Sequence, residues 1–141
     1  MARTWLMAAA IALAAVRAAM AADPSGTWLV EDRKAKVHIA PCGHALCGYV
    51  AWLAIPIDAK SGKPVTDHLN ADPAKRSRPI LGLMVLIDMR RDGQDGRWHG
   101  RIYNPEDGKT YAGSIELIGA RLHVRGCLAF LCETKIWTRA D

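Results

Sequence analysis

The sequence predicts an all-β protein, a small eight-stranded antiparallel up-and-down barrel with one long loop. Three observations support this fold class. Apolar and polar residues alternate at period two, short turns separate most of the alternating segments, and the pairings of consecutive segments fit one another. Eight short strands left as an open sheet would expose two edges, and closing the sheet into a barrel removes them.

The clearest strands lie within residues 97–139. Placing Ile102 opposite Tyr111 closes a hairpin around residues 105–108 and brings Gly100 opposite Gly113. The register then continues through four further pairs: Leu117 with Leu122, Leu122 with Trp137, Val124 with Lys135, and Cys127 with Cys132. Because directly opposed residues share a face, this register predicts that Trp137, Lys135 and Arg139 all point inward.

Four earlier strands complete the predicted barrel. They are Gly26 to about Glu31, a second strand containing Ala35, Val37 and Ile39, the apolar run Leu46 to Leu53, and Leu81 to Arg90 with Leu83, Val85, Ile87 and Met89 inward. Between Pro56 and Pro79 the alternation disappears, which indicates a long loop. We expect one short helical turn in it, between Asp67 and Lys75.

The first 21 residues have the pattern of a secretory signal peptide. Arg3 precedes an apolar run from Trp5 to Val16, and small residues, Ala19 and Ala21, flank a cleavage point. An uncleaved N-terminal anchor is the alternative, although the run is short for a membrane span. The predicted organisation is therefore a signal peptide, residues 1–21, and a single barrel domain, residues 22–141, located in the periplasm or secreted.

The cysteines form two pairs with the same spacing, Cys42 with Cys47 and Cys127 with Cys132. An even number of cysteines in an exported chain favours disulfides, and of the three connectivities the two local pairs fit the hairpins. Pairing Cys42 directly with Cys47 places Val37 opposite Trp52. The alternative is a metal site built from all four cysteines or from Cys42, His44 and Cys47, whose spacing departs from the usual zinc pattern.

Charge excludes one class of partner. The formal net charge of +5 falls to +3 when Arg3 and Arg17 leave with the signal peptide. No tract of Lys and Arg interleaves with aromatic residues, so the sequence does not predict nucleic-acid binding. No later segment is long and apolar enough for a transmembrane span.

Several motifs together resemble a known family. They are Asp23-Pro24-x-Gly26-x-Trp28, residues 37–48, Asn70-x-Asp72-Pro73-x-x-Arg76-x-Arg78-Pro79, residues 100–111, and the closing Arg125-Gly126 to Trp137-Thr138-Arg139. The combination resembles the exported bacterial family catalogued as domain of unknown function 2147, and Trp28 with Arg139 resembles the pair that closes calycin (lipocalin-like) barrels. The resemblance implies an envelope location and a calycin-like barrel, and it implies no catalytic residue or cofactor.

Two groups of residues are candidates for ligand binding. The first is the loop cluster Asp67, Asn70, Asp72, Arg76 and Arg78, whose two arginines could hold a carboxylate or phosphate. The favoured alternative is that Asp72 and Arg76 tie the loop to itself at helical spacing. The second group is the barrel interior, where Tyr111, Lys135 and Arg139 are the candidates.

The interior is predicted to be either hollow or filled. Gly100 opposite Gly113 leaves space for a small ligand, or for a neighbouring aromatic side chain from the set Trp28, Trp52, Trp98, Tyr111 and Trp137. A hollow barrel predicts a non-enzymatic binding protein for a small amphipathic or anionic molecule. A filled barrel predicts a structural or interaction module that contacts another envelope protein.

A hydrolytic enzyme is the third and least favoured class. The register places His99 opposite Ser114, with Glu116 one step further along, which supplies the residue types of a nucleophile, a base and an orienting acid. An exposed strand face lacks the sheltered pocket and oxyanion donors that such catalysis needs. The sequence therefore predicts no catalytic residue, no metal and no cofactor.

We expect the mature chain to begin at Ala22 or Asp23, because the small residues before this point fit signal peptidase. The intact mass of the exported protein measures this directly. A mass that still contains residues 1–21 would show instead that the segment is kept as an anchor.

Overall fold

The computed structural model describes residues 23–91 and 95–141, so the predicted signal peptide lies outside the described residues. Eight antiparallel strands pair in chain order, and the last returns to the first to close a barrel. They are β1 (Gly26–Leu29), β2 (Ala35–Cys42), β3 (Ala45–Leu53), β4 (Met84–Arg90), β5 (Trp98–Asn104), β6 (Lys109–Ile118), β7 (Arg121–Leu128) and β8 (Leu131–Arg139). The predicted up-and-down barrel is confirmed.

The registers predicted for the C-terminal half are confirmed. In β5 and β6, Ile102 lies opposite Tyr111 and Gly100 opposite Gly113. The remaining predicted pairs are also present: Leu117 with Leu122, Leu122 with Trp137, Val124 with Lys135, and Cys127 with Cys132. These hairpins have short turns, and a short turn combined with a one-sided apolar pattern leaves a single register.

The register predicted for β2 and β3 is wrong by two residues. Val37 lies opposite Val50, not Trp52, and a bulge follows between Lys36 and Val37. Trp52 therefore pairs with Lys36 and is 42% exposed, with the Lys36 ammonium 5.1 Å from its ring centroid. The outward position removes Trp52 from the aromatic residues that could fill the barrel.

β4 also departs from simple alternation. Leu83, Val85 and Met89 are buried as predicted, but Leu86, not Ile87, is the fully buried residue between them. The register of β4 against β5 shifts between Ile87 and Arg90, and Asp88 has a φ of 54°. A bulge adds a residue to one strand, so the alternation on either side no longer matches.

The long loop between β3 and β4 contains a single 3-10 helix, Pro73–Lys75. The Asp72 carboxylate caps it by accepting a 3.0 Å hydrogen bond from the Ala74 N–H. The helical turn expected between Asp67 and Lys75 is therefore confined to its last residues. Among the described residues, no helix is long and apolar enough to cross a membrane.

Both predicted disulfides are formed, Cys42 with Cys47 and Cys127 with Cys132. Cys42 and Cys47 are not directly opposed, because Cys42 pairs with Ala45 in the sheet. Since all four sulfurs are in disulfides, the alternative of a thiolate metal site is wrong. The two bridges lie at opposite ends of the barrel, one at the β2–β3 turn and the other at the β7–β8 turn.

One end of the barrel is filled with side chains. The residues packed there are fully or almost fully buried: Trp28, Ile39, Met89, Ile115 and Leu122. The space predicted between Gly100 and Gly113 is also occupied, although not by an aromatic ring. A Cβ on Gly113 would overlap the Ile102 side chain, and one on Gly100 would overlap the β4 backbone at Ile87 and Asp88.

Trp28 and Arg139 close this end, as the calycin resemblance implies. The Arg139 guanidinium lies 4.1 Å from the centroid of the Trp28 ring and donates a 2.8 Å hydrogen bond to the Ser25 carbonyl. The indole N–H of Trp28 donates to the Pro24 carbonyl at 2.9 Å. The two residues are also direct partners in the β1–β8 ladder, so the stacking and the closure of the sheet occur at the same place.

We expect Arg139→Lys to lower the melting temperature, because lysine keeps the charge but loses the planar stacking worth about 1–2 kcal/mol. Trp28→Ala should lower it more, by about 3–5 kcal/mol of unfolding free energy, since it also empties a fully buried site. The double variant should lose less than the sum, because both changes remove the same contact.

Arg121→Lys is the matched control for this cycle, since Arg121 is an exposed arginine at the start of β7. It should leave the melting temperature almost unchanged. Strictly additive losses in Arg139→Lys and Trp28→Ala would contradict the stacking interaction.

Candidate functional site

A cavity of about 1020 Å³ occupies the other end of the barrel. Its deep walls are apolar and come from six strands: Val37, Val50, Val85, Leu86, Ile102, Val124 and Trp137. Its outer walls come from the β1–β2, β3–β4 and β5–β6 loops and from the outer part of β8. Cavities that bind small molecules have about 300–1000 Å³ and mostly apolar walls, so this space is large enough for such a ligand.

The rim of the cavity is rich in carboxylates. Those that line it are Glu31, Asp32, Asp58, Glu106, Asp107 and Glu133, together with the lysines Lys34, Lys63 and Lys135. The chain as a whole has more basic than acidic residues, with a formal net charge of +5. The mouth therefore has the opposite charge balance from the chain that surrounds it.

Two of these lysines are each shared by two carboxylates. The Lys135 ammonium lies 2.8 Å from the Glu133 carboxylate and 3.8 Å from that of Glu31. The hydrogen bond and negative charge of Glu133 raise the pKa of Lys135 above its usual value. Lys34 lies 3.7 Å from both Asp32 and Glu106, which links the β1–β2 loop to the β5–β6 loop.

Tyr111 and Lys135 are the two sequence candidates that line the cavity. The Tyr111 hydroxyl donates a hydrogen bond to the Asp107 carboxylate, and this bond, with some loss of hydration, raises the pKa of Tyr111. The ring of Tyr111 thus stands at the mouth with its polar end fixed. Arg139 lies at the filled end against Trp28 and is not one of the residues that line this cavity.

The loop candidates Asp67, Asn70 and Arg78 meet in one buried cluster. Asp67, which is 0% exposed, accepts hydrogen bonds from the Tyr103 hydroxyl at 2.5 Å, the Asn70 amide at 2.8 Å and the Arg78 Nε at 2.9 Å. The Arg78 guanidinium also lies over the Tyr103 ring, 5.5 Å from its centroid. We call Asp67, Asn70, Arg78 and Tyr103 the loop anchor, since they hold the long loop to β5.

The loop anchor keeps Asp67 ionised despite its burial. Burial alone raises the pKa of Asp67, but the hydrogen bonds from Tyr103, Asn70 and Arg78 and the charge of Arg78 outweigh it, so the pKa is lowered. Burial and the bond to Asp67 raise the pKa of Tyr103. Because the Asp67 carboxylate already accepts three hydrogen bonds within the protein, we assign the loop anchor a structural role.

Asp72 and Arg76 also serve the loop itself, as the favoured interpretation holds, but through different partners. Asp72 caps the 3-10 helix, and the Arg76 Nε donates to the Asn70 carbonyl at 2.8 Å. Gly108, in the β5–β6 turn, has a φ of 71° and lies against the same long loop. A Cβ there would overlap the Leu69 carbonyl, so the close approach of the two loops requires glycine.

The sequence did not predict Tyr103 or any of the six rim carboxylates as site residues. Tyr103 follows the inward Ile102, so strict alternation predicts that it lies on the outer face, yet it is only 6% exposed. Its partner Asp67 is 36 residues away in the sequence. Two features of the sequence could have indicated this contact. One is a tyrosine on a strand face that is otherwise charged, and the other is a long loop for which no covered surface was predicted.

The residues considered for hydrolysis are engaged elsewhere. His99 lies opposite Ser114 as predicted, but its Nε2 is 2.8 Å from the Asp95 carboxylate. The Glu116 carboxylate accepts a 3.1 Å bond from Arg97. Within residues 23–91 and 95–141, no three His, Cys, Asp or Glu side chains come together in a way that could hold a metal ion.

We expect Asp67→Asn to destabilise the protein by about 1–3 kcal/mol at pH 7, since it removes an acceptor from buried donors. A carboxyl with a lowered pKa in the folded state stabilises the fold above its unfolded pKa of about 3.9 and loses that contribution as the pH falls through the folded value. The difference from the wild type should therefore shrink below about pH 4.

Urea unfolding at pH 7 and at successively lower pH values checks this, with Asp72→Asn as the control in the same loop. Asp72 is exposed and caps only a short helix, so its change should cost about 1 kcal/mol or less. A deficit for Asp67→Asn that stays constant with pH would contradict the role of the ionised carboxylate.

Two comparisons agree with this architecture. The model of the family described as "Uncharacterized protein conserved in bacteria (DUF2147)" matches residues 26–139. A solved structure described as "Protein HP1028 from the human pathogen Helicobacter pylori belongs to the lipocalin family" aligns with a TM-score of 0.68, 21% identity and 84% coverage of each chain. At that identity the likeness shows a shared fold alone.

A search of curated proteins found no match. The family match spans β1 to β8, which is the whole barrel with both its filled end and its cavity. The chain therefore belongs to the DUF2147 family of bacterial proteins and has a calycin-like barrel.

Proposed function

We propose that this protein binds a small amphipathic molecule in the cavity of its barrel, in the periplasm or outside the cell. The observation that carries the proposal is the cavity itself, about 1020 Å³ with apolar deep walls and a charged rim. Such a space suits a ligand whose apolar part lies between Val124, Leu86 and Trp137 and whose polar end stays at the mouth.

The charge of the rim favours a cationic or neutral polar end over an anionic one. The three rim lysines are outnumbered by carboxylates, and both Lys34 and Lys135 already lie between two of them. The excess of carboxylates at the mouth would repel an anion, whereas it would attract an amine. Of the classes that the sequence suggests, the amphipathic ligand is therefore favoured over the simple anion.

Two disulfides support export, because they persist in oxidising compartments. A non-enzymatic role is supported by the engagement of His99 with Asp95 and of Glu116 with Arg97, away from the cavity. The alternative of a structural module with a filled core finds support at one end of the barrel, around Trp28 and Met89, but not at the other. We therefore favour the binding role.

We expect the mature protein to bind a neutral amphipathic fluorophore, N-phenyl-1-naphthylamine, saturably and with one site. Val124→Trp should weaken this binding by about tenfold or more, because the added indole takes the space of the apolar part. Val50→Phe, on a different wall, should act in the same direction. Fluorescence titration measures both variants, and near-UV circular dichroism checks that each is folded.

Ala112→Trp is the matched control, because it introduces the same indole side chain at an exposed position on β6. It should bind the fluorophore as the wild type does. Equal binding by Val124→Trp and the wild type would place the fluorophore elsewhere and contradict the proposal.

The preferred charge of the ligand can be tested by displacing the fluorophore with decylamine and with decanoate. The two have the same number of carbon atoms and opposite charges, so the rim carboxylates should make the amine the stronger competitor by about threefold or more at low salt. Added salt should narrow the difference. A stronger effect of decanoate would show that the rim lysines, not the carboxylates, govern recognition.

A further inference from the structure

The turn between β7 and β8 exposes four consecutive apolar residues, Leu128 to Leu131, which we call the apolar tip. Phe130 is 89% exposed, Leu131 70% and Leu128 49%. Phe130 is also the single phenylalanine in the chain. Runs of exposed apolar residues are unfavourable in water and are kept where they contact something else.

The apolar tip is held outward by its own hairpin. Leu128 pairs with Leu131 across the turn, and the disulfide between Cys127 and Cys132 joins the strands directly beneath. All four residues of this closed turn are exposed, so their side chains do not pack back onto the barrel. The tip is therefore presented to its surroundings as a fixed convex projection.

The apolar tip lies at the mouth of the cavity. The β1–β8 ladder consists of Trp28 with Arg139 and Leu29 with Thr138, whereas β8 continues its pairing with β7 as far as Leu131. The outer hairpin thus extends past the end of β1. Just below the disulfide, the paired residues Gly126 and Glu133 line the cavity.

We propose that the apolar tip inserts into the interfacial layer of a lipid bilayer and turns the cavity mouth toward it. The strength of interfacial binding scales with the apolar area that enters the boundary between headgroups and acyl chains, and the apolar tip supplies such an area. Two further exposed apolar residues that line the mouth, Ile55 at 75% and Leu69 at 47%, are placed to contact the same surface.

The size and shape of the tip favour a bilayer over a second copy of the chain. A stable protein interface uses roughly 20–30 residues on each side. The apolar tip supplies four residues on a narrow projection, and the rim beside it carries carboxylates that would repel the same rim on a second copy. A bilayer imposes neither requirement, since its interface deforms around a small wedge.

Co-sedimentation of the mature protein with phosphatidylcholine vesicles tests the proposal. These vesicles carry no net charge, so binding should depend on the apolar tip and persist in high salt. Phe130→Ser combined with Leu131→Ser should weaken binding by about tenfold or more. Ile118→Ser is the matched control, because Ile118 is 49% exposed on the β6–β7 hairpin at the opposite end and should bind as the wild type does.

Phe130→Trp provides a second measurement that keeps the tip apolar. Its tryptophan emission should shift to shorter wavelength on addition of vesicles, relative to the wild type treated in the same way.

Three results would overturn the proposal: no vesicle binding by the wild type, unchanged binding by the double serine variant, or a dimer in sedimentation analysis that the double variant dissolves. Val124→Trp should bind vesicles normally, so failure of tip docking and failure of ligand binding are distinguishable.

Discussion

The closure of β1 onto β8 is the contact on which the rest of the structure depends. It consists of two residue pairs in the ladder, supported by the hydrogen bond from the Ala140 N–H to the Thr27 carbonyl at 2.9 Å. Without it, β1 and β8 would become the free edges of an open sheet. So short a ladder is reinforced by packing, because the Arg139 guanidinium covers the Trp28 indole at the same point. Trp28 thus fills one end of the barrel and also packs against the last strand at the point where the sheet closes.

Closure at one end leaves the other end free to widen. The filled end is packed by Trp28, Met89, Ile115 and Leu122, while the walls at the mouth diverge into loops that do not fill the interior. These loops are held in place by polar contacts: the loop anchor fixes the β3–β4 loop to β5, and Lys34 joins the β1–β2 loop to the β5–β6 loop. Binding residues carried on loops are positioned by the scaffold beneath them, and here the scaffold includes a buried ionised carboxylate. The long loop is therefore part of the cavity wall and not an appendage.

The parts of the fold that follow strict alternation and tight turns could be predicted to the residue, as the Ile102–Tyr111 and Leu122–Trp137 pairs show. The β2–β3 register could not, because the direct opposition of Cys42 and Cys47 implies a four-residue turn, whereas Cys42 pairs with Ala45 across a turn of only two residues. The disulfide of that hairpin was still correctly paired, since a disulfide can join cysteines near one another without requiring them to be directly opposed.

Of the candidate site, the sequence found the loop residues and Lys135 but not their arrangement. The arrangement of the loop residues depends on Tyr103, which is buried only because the distant loop covers it.

The charge of the mouth illustrates why composition is a weak guide to recognition. The formal charge is +5 for the full sequence and +3 without residues 1–21, yet the charged side chains that a ligand would meet at the cavity are predominantly acidic. The fold produces this separation, because the β1–β2 and β5–β6 turns and the outer part of β8 each place carboxylates at the same end. Coulomb interactions weaken with distance and are screened by salt beyond about 8–10 Å, so the local rim, not the total charge, governs the last step of entry. The apolar tip extends from this same acidic rim, which brings an apolar surface and a polar, cation-attracting entrance to one end of the barrel, the two properties that an amphipathic ligand combines.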